Sequence, residues 1–131
     1  MKILGIGVDI VQNSRIRKSI TNEKFLLRIF TNDEINKSKK TKNKTAFFSK
    51  RFAAKEAFSK ALGTGFRETL NFKDISITNN KRGKPSIKLN NKLHNLINKK
   101  FKTKKINVLL SISDESKHSI AFVILEGNEP R

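Results

Sequence analysis

The chain has 131 residues and carries 29 Lys and Arg against 11 Asp and Glu, which gives a formal net charge of +18 at pH 7. This length predicts a single domain, and a hydrophobic share of 36% supports one compact core. The chain has no Cys and only 2 His, which excludes disulfides, thiolate metal sites and typical zinc sites. The positive charge predicts an anionic partner, but it does not separate nucleic acid, a membrane surface, a nucleotide and an acidic protein.

The N-terminal apolar run indicates neither a signal peptide nor a membrane span. It covers residues 3–8 and is cut off by Asp9. It is therefore shorter than the core of a signal peptide, and no run approaches the ~20 residues that cross a bilayer. We expect a cytoplasmic protein with no membrane partner. Any metal ion should be a hard one that is bound through oxygen.

The first half of the chain is predicted to be mainly helical after one buried strand. This strand covers residues 3–8 and ends at Asp9, and Asn13 or Ser14 can cap the helix that follows. The next elements, in chain order, are a helix over Glu23–Ile29, a short helix after the capping box Thr31–Glu34, a solvated lysine-rich loop over Lys37–Lys44 and a long helix over Thr45–Leu62. Gly63 stands where the long helix should end.

The second half of the chain is predicted to contain two hairpins and one helix. Its elements, in chain order, are a strand over Phe72–Thr78, turn residues over Asn79–Pro85, a strand over Ser86–Leu89, a helix over Asn90–Phe101, a strand over Ile106–Ser113, the turn Asp114–Lys117 and a strand over Ser119–Leu125. Residues 127–131 are predicted to form a loose tail.

Asp9 follows two glycines and has two interpretations. The string Gly5–Gly7 resembles the start of a dinucleotide-binding fingerprint, but Ile10 stands at the third glycine position, and Asp9 would oppose a pyrophosphate. We reject that motif. Asp9 is then either an ordinary acid that caps a helix at the end of a strand or a ligand of a metal ion.

Glu56 and Lys60 share one face of the long helix, because they lie four residues apart. An exposed pair of this kind would stabilise the helix by about 0.2–0.5 kcal/mol. The helix is apolar most of the way round, however, so a partly buried Glu56 would need a counter-charge. Asp9 and Glu56 beside a lysine suit Mg²⁺, which binds a few carboxylates together with waters and phosphate oxygens. Gly63–Gly65 either ends the helix or lets backbone approach a ligand closely.

Four parts of the sequence carry a resemblance that composition and spacing do not supply. They are Gly5–Val11 with Arg15 and Ile16, Arg51–Gly65, Gly83–Pro85, and Ser111–Glu115 with Ala121–Leu125. In this order and at this separation, they resemble the signatures of the holo-acyl-carrier-protein synthases, the small bacterial 4′-phosphopantetheinyl transferases. The stretch Arg51–Gly65 is the most specific of them, and the resemblance covers residues 3–126.

The resemblance implies both a fold and a reaction. The fold is one α+β domain over residues 1–126, with helices packed on a small antiparallel sheet, followed by a tail over residues 127–131. The enzyme would be a homotrimer with sites at subunit boundaries. It would transfer the phosphopantetheine arm of coenzyme A to a serine of apo-acyl carrier protein and release adenosine 3′,5′-bisphosphate. Positioning and charge neutralisation do most of the catalysis in such a phosphoryl transfer.

The resemblance also implies roles for individual residues by their motif positions. Asp9 and Glu56 would hold Mg²⁺, and they would act in catalysis together with Lys60 on the diphosphate. The residues that would bind coenzyme A are Arg51, Lys60, Gly63, Gly65, Lys84, Pro85 and Asp114. The acidic carrier protein would dock on Arg15, Lys18, Phe25 and Arg28, which are otherwise solvated side chains of two short helices. Glu56, a metal-bound water or a water near Asp114 could each take the serine proton.

Two other classes of protein remain as alternatives. A basic nucleic-acid-binding module is supported by the net charge of +18 and the 10 Phe, but no recognisable nucleic-acid motif accompanies them. We therefore expect no nucleic-acid partner. An adaptor for acidic proteins would need no chemistry, so Glu56 would be dispensable in it. Consumption of coenzyme A distinguishes the transferase from both alternatives.

Overall fold

The structure, a computed structural model, describes residues 1–63 and 70–128. In chain order its elements are β1 (Lys2–Gln12), α1 (Asn13–Ser19), α2 (Glu23–Ile29), α3 (Asn32–Ser38), α4 (Lys44–Leu62), a 3₁₀ turn (Phe72–Asp74), β2 (Ile75–Asn79), β3 (Pro85–Leu89), α5 (Asn91–Phe101), β4 (Ile106–Asp114) and β5 (His118–Gly127). Helices pack on small antiparallel sheets, so the predicted α+β class is confirmed. None of the helices in the described part of the chain is long and apolar enough to cross a membrane.

β5 is the central strand of an antiparallel sheet with the order β1-β5-β4. Its residues alternate between two faces: Ala121, Val123 and Leu125 are buried, whereas Ile120 and Phe122 are each 40% exposed. α4 covers the buried face and contacts both β1 and β5, and β2 and β3 form a separate hairpin that contacts α4 and β4. The core therefore lies between α4 and one face of the sheet.

Gly5 and Gly7 let β1 lie directly against the backbone of α4. A Cβ atom at Gly7 would overlap the carbonyl oxygen of Ala57 and come within 2.7 Å of the Ala61 nitrogen. A Cβ atom at Gly5 would overlap the carbonyl oxygen of Ala61. Any side chain at these two positions would push the strand and the helix apart. The Gly-x-Gly string of the sequence is thus explained by a close approach between two elements.

The boundary between β1 and α1 differs from the prediction. β1 does not end at Asp9, because it continues its pairing with β5 as far as Gln12 opposite His118. The predicted cap by Asn13 or Ser14 is wrong: the residue that precedes α1 is Gln12, and its side chain makes no capping bond. The first helix is therefore joined to the strand without a loop.

The side chain of Asn13 joins the start of α1 to the turn between β4 and β5. Its amide nitrogen donates to the carbonyl oxygens of Glu115 at 3.1 Å and Ser116 at 3.2 Å. Its amide oxygen accepts from the Ser119 hydroxyl at 2.9 Å. Asn13 is buried, and these tertiary bonds occupy the polar atoms that a helix cap would have used.

Most of the other predicted elements are confirmed, with small shifts of their ends. The capping box before α3 is present, α4 begins one residue before the predicted Thr45, and both hairpins form. The strand predicted from Phe72 is wrong at its start, because Asp74 accepts from the Asn71 N–H at 3.1 Å and a 3₁₀ turn results. The predicted loop over Lys37–Lys44 is shortened, because α3 and α4 extend into both of its ends. Gly127 is buried within β5 and does not belong to a loose tail.

Candidate active site

Asp9 lies inside β1 on the face that α4 covers. Its neighbours along this face, Gly7 and Val11, are both buried. The Asp9 side chain is 16% exposed, and the Lys60 ammonium of α4 donates to its Oδ1 at 3.2 Å. The same ammonium donates to the Val8 carbonyl oxygen at 3.0 Å. The interpretation of Asp9 as a helix cap is therefore wrong, since this carboxylate lies within a strand and pairs with a lysine of α4.

Glu56 lies one helical turn before Lys60 and borders the same site. Among the described residues, Lys60 forms its ion pair with Asp9 and not with Glu56, so the interpretation as a helix-stabilising Glu-Lys pair is wrong. Burial raises the pKa of the Glu56 carboxyl, the charge of Asp9 raises it further, and Lys60 opposes both effects. Glu56 therefore keeps its proton to a higher pH than an exposed glutamate does.

Asp9 and Glu56 together fit a small divalent cation. Both border one groove, and they are close enough for the charge of Asp9 to raise the pKa of Glu56. Within residues 1–63 and 70–128, no three side chains of Asp, Glu, His or Cys come together as a metal cluster. A cation at this place would have two carboxylates, with its other positions left to water and phosphate oxygens. That ligand set suits Mg²⁺ and does not suit zinc.

The groove beside the two carboxylates has a volume of about 380 Å³ and is formed by β1, α1, α2 and α4. It is lined by Asp9, Ile10, Val11, Gln12, Arg15, Ile16, Ser19, Phe25, Phe52 and Glu56. Two residues predicted to bind the carrier protein, Arg15 and Phe25, thus lie in the same groove as both predicted metal ligands. The other two, Lys18 and Arg28, are exposed on α1 and α2 and do not line it.

Arg51 lies at a second cavity, of about 130 Å³, between α4, the β2–β3 hairpin and the end of β4. Pro85 and Asp114 line this cavity as well, so three residues predicted to bind coenzyme A come together there. The Arg51 guanidinium lies 3.5 Å from the centroid of the Phe47 ring and donates to Asn79 Oδ1 at 2.8 Å. Stacking and hydrogen bonding therefore fix the guanidinium at the edge of the cavity.

Two further residues predicted to bind coenzyme A, Gly63 and Lys84, do not line this cavity. Gly63 has a φ of 85°, and its N–H donates to the carbonyl oxygens of Ser59 at 3.0 Å and Lys60 at 3.1 Å. Its interpretation as the residue that ends the long helix is confirmed. Lys84 is exposed in the turn between β2 and β3 and does not line the second cavity. Gly65 lies outside the described residues.

Reasoning from the sequence missed a buried charged pair. Lys55 and Glu34 are both fully buried, and the Lys55 Nζ lies 2.7 Å from the Glu34 Oε1. The sequence indicates Glu34 only as part of a capping box and gives Lys55 no role of its own. One signal could have identified Lys55: it follows two alanines in an apolar helix, where a lysine is buried only if it has a partner.

The chain matches known proteins along nearly its whole length. The family model of the 4′-phosphopantetheinyl transferase superfamily matches residues 5–123. Holo-[acyl-carrier-protein] synthase from Pelagibacter ubique is 60% identical over 126 residues, which cover 96% of this chain and 98% of that protein.

Solved structures agree with these matches in sequence. The holo-(acyl-carrier-protein) synthase from Bacillus anthracis, in complex with CoA (3′,5′-ADP), has a TM-score of 0.82 at 38% identity, over 98% of this chain and 100% of that one. The enzyme from Neisseria meningitidis has a TM-score of 0.84 at 36% identity, over 95% and 98% of the two chains. With both carboxylates and Lys60 inside the matched region, this chain belongs to the 4′-phosphopantetheinyl transferase superfamily.

Proposed function

We propose that this chain, acting in the cytoplasm, transfers the 4′-phosphopantetheine arm of coenzyme A to a serine of apo-acyl carrier protein and releases adenosine 3′,5′-bisphosphate. The observation that carries the proposal is the meeting of two sequence signatures at one groove, where Asp9 of the first lies beside Glu56 and Lys60 of the second. The names of the similar proteins, and the coenzyme A in one solved relative, support the same reaction.

The reaction is a phosphoryl transfer, so the site has to align the substrates and neutralise charge. The serine hydroxyl gives its proton to Glu56 or to a water at the site, and its oxygen bonds to the phosphorus next to pantetheine. The bond from that phosphorus to the bridging oxygen breaks, and adenosine 3′,5′-bisphosphate leaves with the electron pair. We assign Mg²⁺ to Asp9 and Glu56, and this ion, when bound, supplies positive charge at the diphosphate. Lys60, beside Asp9, adds a second positive charge for the leaving group.

The direct test is incubation of the protein with apo-acyl carrier protein, coenzyme A and Mg²⁺, followed by mass spectrometry of the carrier. A gain of one phosphopantetheine that requires every component is the expected result. Transfer that continues in an excess of chelator would contradict the magnesium assignment. A nucleic-acid-binding module would instead bind DNA or RNA with a steep dependence on salt and would leave coenzyme A intact.

The carrier protein is proposed to dock on the basic surface that α1 and α2 form around Phe25. The residues of this surface are Arg15, Lys18, Phe25 and Arg28. Arg15 and Phe25 also line the groove that holds the two carboxylates, so a carrier bound here would have its serine close to the site. The net charge of +18 attracts an acidic protein over about one Debye length, roughly 8–10 Å, and raises mainly the association rate.

Replacing Arg15 with glutamate is expected to raise the KM for the carrier protein by roughly tenfold at low salt and to preserve the KM for coenzyme A. The substitution reverses a charge at the edge of the groove, whereas the second cavity, with Arg51, is unchanged. Steady-state kinetics with each substrate varied in turn measure both constants. K99E, on the exposed surface of α5, is the control for a reversed charge elsewhere. An unchanged KM for the carrier would show that it docks on another surface.

We also propose that the protein is a homotrimer, which is supported by the exposed apolar face of the three-stranded sheet. On β1 of this face, Ile6, Val8 and Ile10 are 60%, 52% and 61% exposed, and the register places Val8 opposite Phe122 of β5. A contiguous exposed apolar patch of this kind marks an interaction surface, and copies of the chain arranged in a closed ring would cover it. Sedimentation should give three times the mass of the chain, and a monomeric mass would contradict the assembly.

A further inference from the structure

A buried lysine, Lys55, makes three hydrogen bonds outside the groove. Its ammonium donates to Glu34 Oε1 at 2.7 Å, to the Ile29 carbonyl oxygen at 2.8 Å and to the Phe72 carbonyl oxygen at 3.1 Å. All three of its N–H donors are therefore used. Although Lys55 directly precedes Glu56 in the sequence, it does not line the groove. Direct contact of Lys55 with a substrate in the groove is thus excluded.

Glu34 extends the contacts of Lys55 to the β2–β3 hairpin. Its Oε1 also accepts from the Thr31 N–H at 2.9 Å, and its Oε2 accepts from the Ile77 N–H at 2.9 Å. Together, the two side chains tie α4 to the end of α2, the start of α3, the 3₁₀ turn and β2.

The stability of the fold does not by itself account for this charged pair. Both side chains are fully buried. Desolvation lowers the pKa of Lys55, and the charge and hydrogen bond of Glu34 oppose this shift. Removing two charges from water costs several kcal/mol per ion, so an apolar pair of similar volume is often as stable or more stable. The function of the pair is therefore sought in what it holds in place.

Of the two carbonyl groups that Lys55 binds, one belongs to α2, which lines the groove, and the other belongs to Phe72, whose ring supports a lining residue from behind. Ile29 is the last residue of α2, which presents Phe25 to the groove. The Phe72 ring stacks on Phe52, with centroids 5.7 Å apart and planes 16° apart. Phe52 in turn lies 6.2 Å from Phe25, measured between ring centroids. Phe25, Phe52 and Phe72 thus form a continuous row, here called the aromatic wall.

We propose that Lys55 is a positioning residue for binding of the carrier protein: with Glu34 as its counter-charge, it holds the aromatic wall at the groove. The inference rests on the proposed function and deepens it, because it assigns a buried residue outside the groove to one of the two substrates. Arg51 and the second cavity are not lined by residues of the aromatic wall. Ile77, whose N–H Glu34 binds, does line that cavity. A glutamine at position 34 keeps an oxygen that can accept from this N–H, so binding of coenzyme A should depend little on the loss of both charges.

The test compares variants by thermal unfolding and by kinetics in which carrier protein and coenzyme A are varied separately. K55M leaves Glu34 buried without a counter-charge, so its melting temperature should fall strongly. The double variant K55M/E34Q removes both charges and should regain part of that loss, although the carbonyl oxygens of Ile29 and Phe72 lose their Lys55 donor. It should still show a KM for the carrier raised by roughly tenfold, with the KM for coenzyme A within about twofold of wild type. K99M, on the exposed surface of α5, is the control for loss of a lysine and should behave as wild type.

Three results would overturn the inference. In the first, the double variant regains stability and has the wild-type KM for the carrier, so that Lys55 acts on stability alone. In the second, both KM values rise equally, which would mean a general loosening of the protein. In the third, the double variant does not fold, which would make the pair a requirement of the fold. The proposed function is contradicted only if the wild-type protein fails to transfer phosphopantetheine. The results for the Lys55 variants therefore test this inference separately from the proposed function.

Discussion

Replacement of Glu56 by glutamine is expected to reduce the rate of transfer by roughly 1,000-fold and to raise the melting temperature of the protein in chelator near pH 7. The rate falls because glutamine keeps the shape of the side chain but loses the charge that would hold Mg²⁺ beside Asp9. The stability rises because burial, and then the charge of Asp9, raise the pKa of Glu56 in the folded protein. An ionised Glu56 is therefore less favourable in the folded state than in the unfolded chain.

The effect of E56Q on stability should depend on pH in a definite direction. A carboxyl whose pKa is raised by folding binds its proton more tightly in the folded state. Its favourable contribution is complete below the unfolded pKa of about 4.3 and is lost as the pH rises through the folded pKa. E56Q should therefore be more stable than wild type near pH 7 but not below about pH 4.

Thermal unfolding at these two pH values, together with the transfer assay, measures both effects of E56Q. E23Q is the matched control, because Glu23 lies at the exposed start of α2 and its replacement removes the same charge. Full activity of E56Q would contradict the metal assignment. A lower melting temperature near pH 7 would contradict the unfavourable burial of the Glu56 charge.

Replacement of Gly7 by alanine is expected to lower the free energy of unfolding by about 3 kcal/mol, at the upper end of the usual range for overpacked cores. The added methyl group would overlap the Ala57 carbonyl oxygen. A backbone atom of a helix cannot move aside as a flexible side chain can, so β1 and α4 would have to separate. Asp9 lies two residues after Gly7 on β1, and Glu56 directly precedes Ala57 on α4. The same separation should move the two carboxylates apart and weaken binding of Mg²⁺.

Urea denaturation and calorimetric titration with Mg²⁺ test G7A, with G83A as the control. Gly83 has a φ of +86°, and no atom beyond Gly83 and its two chain neighbours lies within 4 Å of the place that its Cβ would occupy. G83A should therefore lose only about 1–2 kcal/mol, which is the backbone cost of a left-handed alanine, and should bind Mg²⁺ as wild type does. A loss in G7A no larger than that in G83A would contradict the tight contact between β1 and α4.

The parts of the fold that depend only on residues close together in the sequence could be predicted from it. The capping box before α3, Gly63 at the end of α4 and the turns of the two hairpins all depend on a few adjacent residues. The place of Asp9 could not be predicted in this way. A charged residue after an apolar run is typical of a strand end, but β1 continues its pairing with β5 past Asp9, and Lys60, 51 residues away, binds the Asp9 carboxylate.

In the candidate site, too, the contacts between residues far apart in the sequence could not be predicted. Motif positions identified Asp9, Glu56 and Lys60 as candidates, and the structure brings them to one place. The pairing of Lys55 with a glutamate 21 residues before it could not be inferred, because it depends on how α3 packs against α4. The role of Phe52 in the groove likewise depends on α2, which brings another aromatic ring beside it.

The buried side chain of Asn13 connects the two proposed binding surfaces, which are the carrier-protein surface on α1 and α2 and the coenzyme A cavity lined by Asp114. It joins the start of α1, two residues before Arg15, to the turn that follows Asp114, although 102 residues separate Asn13 from Glu115. A displacement of α1 therefore moves the β4–β5 turn with it. The distance between these two segments changes little, although they are far apart along the chain. The spacing between the two proposed surfaces is therefore held at one junction, where the Asn13 side chain acts together with the backbone N–H of the same residue, which donates to the Lys117 carbonyl oxygen at 2.8 Å, and with the pairing of Gln12 and His118.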